Sequence, residues 1–389
     1  MSAAGPLIYV IAGEPSGDAL GAKIMAGLRA ATGGSVRFAG IGGQEMAEQG
    51  LESRFPMDEL AIMGLLEIVP HIPRLLRRID ETVREIERLK PAVLLTIDAP
   101  GFCFRVAKKL RGKGVPLVHL VAPTVWAWKP KRAEKIARFL DHLLVILPFE
   151  PPYFTRHGLA TTYIGHPSVE NPRGDRAAFR ARHGIPAEAT LLAVLPGSRG
   201  GEASRLLPVF GETVGRLAAR HPDLHVAVPA VAGVHAMILE AVSRWPVKAV
   251  VTQGAAEKAD LFAASDLALA AAGTAVLELV LAGLPTVAAY KVNALTYQMV
   301  RRMVKLPHAT LPNILLGREM VPELLQDACT ADALEAALEP LLAGGRQLAD
   351  QQAAAAQLYD RLGGNGVPPS RVAADKVLEI AAQCATVRV

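Results

Sequence analysis

The sequence has few cysteines and no long uninterrupted apolar run. Its three cysteines, Cys103, Cys329 and Cys384, are scattered and form no CxxC pair. A disulfide framework and a cysteine metal site are therefore disfavoured, and a reducing compartment is expected. The longest apolar tract, residues 267–290, is interrupted by Glu278, Gly283 and Pro285. It indicates core strands and a buried helix rather than a membrane span. No basic segment precedes the N-terminal apolar run, so no signal peptide is expected.

Several catalytic motifs are also missing. The dinucleotide fingerprint G-x-G-x-x-G and the phosphate-binding G-x-x-x-x-G-K-[ST] do not occur, and residues 13–17 read G-x-x-S-G rather than the G-x-S-x-G of serine hydrolases. No D-x-D triplet, HExxH motif or close His/Cys cluster is present either. We therefore expect a reaction that uses no metal and no cofactor.

The most informative feature that is present is a pair of glycine-rich turns, at residues 8–18 and 191–202. Each turn follows an apolar run and opens a helical pattern, which predicts a buried strand, a tight turn and a helix N-terminus. Such an N-terminus presents backbone N–H groups to an anion. Two such units predict an α/β protein with two Rossmann-like, doubly wound domains facing a cleft, one for a nucleotide and one for a second substrate.

The length of 389 residues suits two domains. Strand and helix patterns alternate on both sides of a Gly- and Pro-rich break at residues 165–175, and the tail is mostly helical. We predict a first α/β domain over residues 1–170, a second α/β domain over 171–340, and a C-terminal helical segment over 341–389.

Positive charge is concentrated in the first half of the chain. The net charge is +5, but residues 74–138 contain 16 Lys or Arg against 6 Asp or Glu. One face of this half should therefore be strongly positive, which suits an anionic substrate, an anionic membrane or nucleic acid. A solvated charged helix face is the structural alternative.

Two single residues point to chemistry. Asp98 ends the apolar run 93–97, at the strand end where ligands of open α/β sheets lie, and would suit a general base. A helix N-cap or a loop hydrogen bond is its alternative. Arg199 follows Gly197 and Ser198 at the second turn, where a guanidinium and backbone donors suit a diphosphate. Its alternative is a salt bridge to Glu202.

Further site candidates lie in other turns. Gly273 and Thr274 open a helix and would offer backbone donors to phosphate. Glu278, one turn later, would accept hydrogen bonds from ribose hydroxyls. The alternative is that Glu278 is an exposed helix residue. Asn313 is either functional or only a helix cap. The first turn carries three candidates for contacts to a hydroxylated acceptor, with capping as the alternative for this turn. They are Glu14, Ser16 and Gly17.

Two segments indicate contact with lipid. Apolar residues at 60–76 lie beside Arg74, Arg77 and Arg78, which is typical of an interfacial element or an acyl-chain groove, with a packed helix as the alternative. The residues we assign to this role are Ile62, Met63, Leu65, Leu66, Ile68 and Val69. The second segment holds Trp126 and Trp128 beside cations, as at a membrane interface or a ligand wall.

Together these motifs resemble the lipid-A-disaccharide synthase family, glycosyltransferases of the GT-B type. The matching elements occur in order from residue 7 to about 326. They are AGEPSGD at 12–18, GIGG at 40–43, MG at 63–64, IDAP at 97–100, VWAW at 125–128, GHP at 165–167, LPGSR at 195–199, GTA at 273–275, LPN at 311–313 and GRE at 317–319. The family usually has Asp and Asn where this chain has Gly101 and Cys103, and Ser where it has Ala272.

The resemblance implies an inverting transfer from UDP-2,3-diacylglucosamine to 2,3-diacylglucosamine 1-phosphate, giving a β-1,6-linked disaccharide 1-phosphate and UDP. It implies that Asp98 is the base and that Arg199 and Asn313 are required. It also implies that the domain over 171–340 holds the UDP-sugar, whereas the domain over 1–170 takes the acceptor and faces the membrane. It also implies a cytoplasmic protein, peripheral on the inner membrane of a Gram-negative bacterium, that serves lipid A biosynthesis.

Two other functions remain open from the residues. One is another GT-B UDP-sugar enzyme, such as a UDP-GlcNAc epimerase or a peptidoglycan glycosyltransferase. The other is a non-enzymatic basic protein that binds membrane or RNA, although we expect no nucleic-acid partner because charge alone does not explain the nucleotide-type turns. The sequence leaves the oligomeric state open, with a homodimer as one alternative.

Overall fold

The computed structural model describes residues 5–60, 69–293 and 306–387. The chain divides into two compact units. Unit 1 contains the chain up to Pro167 together with the part from Leu362 onward, and unit 2 is Ser168–Arg361. Each unit is built on its own parallel sheet, as the two alternating strand and helix patterns predict.

Unit 1 has a six-stranded sheet in the order β2-β1-β3-β4-β5-β6 among the described residues. Its strands are β1 (Leu7–Ala12), β2 (Arg37–Ile41), β3 (Val93–Ile97), β4 (Leu117–Leu120), β5 (His142–Val145) and β6 (Ala160–Tyr163). The helices between and after them are α1 (Pro15–Ala31), α2 (Gln44–Glu48), α3 (Ile72–Leu89), α4 (Pro100–Leu110), α5 (Lys131–Ala137) and α6 (Pro151–Thr155).

Both faces of this sheet are covered, which is why β1 and β3 are continuous apolar runs. Along β1, Tyr9 and Ile11 join the core under α3 and α4, whereas Ile8 and Val10 join the core on the α1 face. The doubly wound arrangement predicted from the sequence is therefore confirmed for unit 1.

Unit 2 repeats the plan with the strand order β12-β11-β10-β7-β8-β9 among the described residues. Its strands are β7 (Thr190–Leu195), β8 (Leu224–Pro229), β9 (Ala249–Thr252), β10 (Leu267–Ala271), β11 (Thr286–Tyr290) and β12 (Glu323–Leu325). Its helices are α7 (Arg176–Arg182), α8 (Gly200–Arg220), α9 (His235–Val242), α10 (Ala255–Ala264), α11 (Thr274–Leu281), α12 (Leu311–Leu316), α13 (Ala331–Leu342) and α14 (Arg346–Arg361).

A buried arginine ties the start of unit 2 to its sheet. Arg180 of α7 is 4% exposed. It donates to the carbonyls of Ala264 at 2.9 Å and Ala189 at 2.8 Å, and to the carboxylate of Asp266 at 2.9 Å. The Asp266 carboxylate also accepts from the backbone N–H of Leu191, at the start of β7. The charge can be buried because its donors are satisfied.

The last helix, α15 (Pro369–Val387), belongs to unit 1. Ala374 and Val377 are fully buried in the same core as Ile24 of α1. The returning chain is fixed where the backbone N–H of His166 donates to the carbonyl of Leu362 at 2.9 Å. The chain therefore leaves unit 1 at 167/168 and re-enters it at 361/362, whereas the sequence pattern placed boundaries at 170 and 340. Helical periodicity shows that the tail is helical, but not which sheet buries its apolar face.

This packing predicts that a cavity in α15 weakens unit 1. Val377→Ala should lower the free energy of unfolding by about 2 kcal/mol, because two buried carbons are lost and a cavity is left behind. Hydrogen exchange read by mass spectrometry should show the lost protection in β1 and α1 but not in β7 and α8.

Val367→Ala is the matched control, since Val367 is 59% exposed. It should change stability by less than about 0.5 kcal/mol. Equal loss of protection in both units after Val377→Ala would contradict the assignment of α15 to unit 1.

Candidate active site

Asp98 lies at the carboxyl end of β3, in the middle of the unit 1 sheet. Its backbone N–H donates to the carbonyl of Leu120 at 3.0 Å, which fixes the turn to the end of β4. Burial raises the pKa of the Asp98 carboxyl above its ordinary value, and a hydrogen bond from the Ala99 backbone opposes this shift. The helix cap of α4 is Ala99, so Asp98 does not serve as an N-cap. A half-buried carboxylate with a raised pKa suits a general base.

The backbone around Asp98 is strained. Asp98 and Ala99 have φ of 49° and 42°, and Val121, just after β4, has φ of 72°. Left-handed backbone is costly for residues with a Cβ, most of all for a β-branched one. Lys129 in the tryptophan-containing loop has φ of 55°. Strain of this kind persists where the surroundings over-determine the conformation, and it is typical of functional loops.

The two turns at the ends of β1 and β3 touch each other. A Cβ placed on Gly13 would lie 2.7 Å from the Cβ of Ala99. No residue with a side chain fits at position 13 without moving the Asp98 turn. The glycine of the first turn is therefore required by close packing as well as by its place before a helix.

The remaining first-turn candidates have distinct environments. Glu14 is the N-cap residue of α1, with a half-buried side chain, and its carbonyl accepts from the backbone N–H of Asp18 at 3.0 Å. Ser16 is exposed, whereas Gly17 is buried with the carbonyl of Ile97 3.5 Å from a Cβ placed on it. Of these residues, Ser16 is open to a ligand.

Asp18 has a structural role. Its buried carboxylate accepts from the backbone N–H groups of Gly43 at 2.7 Å, Glu45 at 3.0 Å and Met46 at 3.2 Å. It therefore caps α2 rather than the helix in which it lies. The first turn therefore does contain a capping residue. That residue is Asp18, and the helix that it caps, α2, is distant in the sequence.

In unit 2, the turn after β7 presents Arg199 to solvent. Arg199 is the N-cap residue of α8 and its side chain is exposed. Gly197 has φ of 107°, and a Cβ there would lie 2.3 Å from a carboxylate oxygen of Glu202. Ser198, between them, is exposed. No ion pair joins Arg199 to Glu202 in the part of the chain that the structure describes, so the guanidinium is available to a ligand.

Glu202 and Tyr290 lie beneath this turn and were not chosen as site residues from the sequence. Burial raises the pKa of Glu202, and the charge of Arg199 opposes this shift. Burial also raises the pKa of Tyr290 at the end of β11, as does the carboxylate of Glu202, while Arg199 lowers it. A polar residue that ends a buried strand was the only sequence signal for Tyr290.

The N-terminus of α11 is open. Gly273 and Thr274 are exposed, and apart from its chain neighbours and its own helix, no atom of the described residues lies within 4 Å of a Cβ placed on Gly273. Glu278, one turn into the helix, is half-buried and forms an ion pair with Lys258 of α10. A ligand that contacts Glu278 would therefore share its carboxylate with Lys258.

Asn313 is fully buried in α12, where Thr310 is the N-cap residue. Its amide N–H₂ donates to the carbonyl of Val321 at 2.8 Å and to the carboxylate of Glu323 at 2.7 Å. Its amide oxygen accepts from the backbone N–H groups of Met320 at 2.8 Å and Val321 at 2.9 Å. All four hydrogen-bonding positions are occupied by the chain itself, so Asn313 holds the segment 320–323 in place.

The lipid-facing candidates lie mostly outside the described residues. Ile62, Met63, Leu65, Leu66 and Ile68 are outside, and so is the side chain of Val69. The described part begins again beside α3, where Ile72 and Leu76 are 43% and 49% exposed. The exposed side chains of Arg74 and Arg77 lie on the same helix. α3 therefore exposes both apolar and basic side chains, and Arg74 among them is ion-paired with Glu59.

Two features are absent from the described residues. No helix among them is both apolar enough and long enough to cross a bilayer. No group of three or more His, Cys, Asp or Glu side chains among them is arranged to hold a metal ion.

Comparison with known proteins identifies the family. The family model for lipid-A-disaccharide synthetase matches residues 8–374. The lipid-A-disaccharide synthase of Rhodospirillum centenum is 52% identical over 96% of this chain and 94% of its own length. That of Paramagnetospirillum magneticum is 48% identical over 97% of this chain and 98% of its own.

Solved structures show the fold. A UDP-GlcNAc 2-epimerase from Neisseria meningitidis, bound to UDP-GlcNAc, matches with a TM-score of 0.63 and 12% identity, over 97% of this chain and 99% of its own. MurG of Acinetobacter baumannii matches with a TM-score of 0.58 and 15% identity, over 96% and 100%. At such low identity they show the GT-B fold alone, whereas the sequence matches carry the function. The chain therefore belongs to the lipid-A-disaccharide synthetase family and is a glycosyltransferase with the GT-B fold.

Proposed function

We propose that the protein transfers 2,3-diacylglucosamine from its UDP conjugate to 2,3-diacylglucosamine 1-phosphate. The product is the β-1,6-linked disaccharide 1-phosphate, with UDP as the second product. The observation that carries this proposal is the family match over residues 8–374 together with a half-buried carboxyl of raised pKa at Asp98, where the family motif places its base.

Asp98 is proposed to act on the acceptor. Its carboxylate takes the proton of the acceptor's 6-hydroxyl as that oxygen forms a bond to the anomeric carbon of the donor. The bond from the anomeric carbon to the diphosphate oxygen breaks in the same displacement, and UDP leaves with the electron pair. Attack from the face opposite to UDP inverts the anomeric carbon. The raised pKa makes Asp98 a stronger base than an exposed aspartate.

Unit 2 is proposed to hold the UDP moiety. The exposed guanidinium of Arg199 and the N-terminal N–H groups of α8 suit the diphosphate, with Gly197 and Ser198 forming the turn. Gly273 and Thr274 offer a second helix N-terminus, and Glu278 is assigned to the ribose hydroxyls. These donors and Arg199 would stabilise the departing diphosphate without a metal ion. Asn313 contributes by positioning the segment 320–323 through its four hydrogen bonds.

A peripheral membrane location is part of the proposal. Both substrates carry acyl chains, and α3 exposes Ile72 and Leu76 beside Arg74 and Arg77. Apolar side chains entering the interface and arginines facing anionic headgroups act together at such a surface. We assign this surface to the cytoplasmic leaflet of the inner membrane.

Asp98→Asn tests the base. The substitution keeps size and polarity but removes the proton acceptor, so kcat should fall by about 10²- to 10⁴-fold. The measurement is acceptor-dependent UDP release in EDTA, where the wild-type protein should remain active. The control Asp80→Asn removes an exposed aspartate of α3 that pairs with Lys109 and should keep nearly full activity.

The same assay gives a pH profile. Because burial raises the pKa of Asp98, the acidic limb of kcat/KM should have its midpoint above the ordinary aspartate value of about 3.9. Activity is present above this midpoint and is lost as the pH falls through it. Full activity of folded Asp98→Asn would remove Asp98 as the base, and loss of wild-type activity in EDTA would refute metal independence.

Arg199→Ala tests the diphosphate site. Loss of a charge-assisted hydrogen bond should weaken UDP binding by about 10- to 150-fold. Because the side chain is exposed and forms no ion pair among the described residues, the melting temperature should stay unchanged. Isothermal titration with UDP measures the first effect and calorimetric unfolding the second.

Arg205→Ala is the matched control, because Arg205 is an exposed arginine of the same helix and its only hydrogen bond among the described residues is to the carbonyl of Gly201. It should bind UDP like the wild-type protein. A fall in melting temperature with unchanged UDP affinity in Arg199→Ala would make Arg199 structural.

Serine substitutions on α3 test the membrane surface. Ile72→Ser with Leu76→Ser should reduce binding to vesicles of phosphatidylethanolamine and phosphatidylglycerol by about tenfold, since two side chains that enter the interface are lost. Vesicle co-sedimentation measures the bound fraction, and high salt should weaken binding by the wild-type protein.

The control carries Val231→Ser and Leu239→Ser in unit 2, where these side chains are 52% and 46% exposed. This control removes a similar exposed apolar area and should bind vesicles normally. If both double variants bind like the wild-type protein, α3 is not the membrane surface.

A further inference from the structure

A second carboxyl lies at the carboxyl end of the unit 1 sheet. Glu150 follows β5, at the N-cap position of α6, and is only 2% exposed. The proposed reaction gives it no role. A carboxyl is rarely buried to this extent unless its oxygens have partners.

Glu150 joins two loops of unit 1. One carboxylate oxygen accepts from the indole N–H of Trp126 at 3.2 Å, and the other accepts from the backbone N–H of Leu147 at 3.0 Å. The indole ring also packs edge-on against Phe149, with 5.2 Å between ring centroids. Trp126 lies in the loop after β4, residues 121–130, and Leu147 lies in the loop after β5. Glu150 therefore fixes the position of the tryptophan loop.

The tryptophan loop begins beside Asp98. The residue before it, Leu120, accepts the backbone hydrogen bond of Asp98 at 3.0 Å. Its first residue, Val121, and a later one, Lys129, both have left-handed backbone. A loop with strained residues keeps one conformation only while its contacts hold it. The bond from Trp126 to Glu150 is such a contact.

Charged groups on the neighbouring elements are occupied elsewhere or exposed. On α5, Arg132 lies over the Phe104 ring, Glu134 pairs with Arg138, and Lys131 and Lys135 are exposed. After α6, Arg156 lies over the Tyr153 ring, and on β5 His142 bonds to Thr162 of β6. None of these forms an ion pair with Glu150 among the described residues.

Burial therefore dominates the titration of Glu150. It raises the pKa of the carboxyl to about 7, although the N–H donors of Leu147, Trp126 and Ile146 favour the ionised form. When the carboxyl takes a proton, one acceptor oxygen becomes a hydroxyl. The N–H donors then compete for the remaining carbonyl oxygen, and the contact to Trp126 or to the backbone of the loop after β5 is weakened.

We propose that Glu150 is a positioning residue for the acceptor side of the transfer, holding the tryptophan loop beside Asp98 through Trp126 and releasing it on protonation. At alkaline pH the Glu150 carboxyl is ionised and holds the loop. When the carboxyl is neutral, the loop is loosened. The acceptor role of the loop rests on the proposed function, whereas the bond between Glu150 and Trp126 does not.

Tryptophan fluorescence tests the bond without any substrate. In a Trp128→Phe background, which removes the neighbouring fluorophore, the emission should change over a transition with its midpoint near pH 7. The transition should disappear in Glu150→Gln, which cannot ionise, and in Trp126→Phe, which removes the reporter. Glu134→Gln removes an exposed carboxyl of α5 and should keep the transition.

Kinetics test the positioning role. Below the midpoint of the Glu150 transition, the KM for the acceptor should rise by about tenfold. After correction for Asp98 ionisation, kcat should change little, because Asp98 is retained. Glu150→Gln should show the higher KM at all pH values. Trp126→Phe should lose the step in KM even though Glu150 is still present, which keeps the test informative if Glu150→Gln does not fold.

Each outcome decides one part of the proposal. The bond is not a proton-sensitive contact if the fluorescence transition survives Glu150→Gln. The same conclusion follows if the Trp128→Phe protein shows no transition between about pH 5.5 and 8.5. A transition as expected with a pH-independent KM would overturn the positioning role. A transition as expected in a protein that transfers no sugar would leave the bond intact and refute the proposed function.

Discussion

The geometry of unit 1 depends on one close contact, between the backbone of Gly13 and the methyl group of Ala99. The contact holds the turns after β1 and β3 together, and Asp98 and Ala99 accept left-handed backbone in order to fit. The Asp98 carboxyl is thereby kept half-buried at the sheet edge, where burial raises its pKa. The basicity of the site is therefore a consequence of backbone packing, and no charged side chain needs to tune it.

The two units use opposite electrostatic means at the carboxyl ends of their strands. Unit 1 offers two carboxyls whose pKa is raised by burial, Asp98 and Glu150. Unit 2 offers an exposed cation, Arg199, over a half-buried pair formed by Glu202 and Tyr290. A base that must take a proton benefits from low polarity, whereas a site for a diphosphate benefits from an open, unpaired guanidinium. The same strand, turn and helix arrangement serves both needs because the residues after the strand differ.

The sequence predicted the parallel α/β fold and most strand positions because buried parallel strands are short apolar runs bounded by turns. β12 was missed, since its three residues carry too short a pattern. The family assignment was confirmed by the sequence comparisons, while the roles of individual site residues stay predictions. Side-chain roles that depend on distant partners could not be read from pattern: Asp18 caps a helix that starts 26 residues later, and Asn313 is enclosed by the segment 320–323. The raised pKa of Glu150 likewise depends on burial, which no local motif encodes.

The return of α15 to unit 1 has a consequence for how the protein is made. Unit 2 is one continuous segment, so all of its core residues are translated before α15. Unit 1 cannot cover the α1 face of its sheet until α15 emerges, because Ala373, Ala374 and Val377 complete that core. Domains usually complete their folding in sequence order during synthesis. In this chain the second unit can be finished first, and the first must wait with an apolar face uncovered until α15 has emerged.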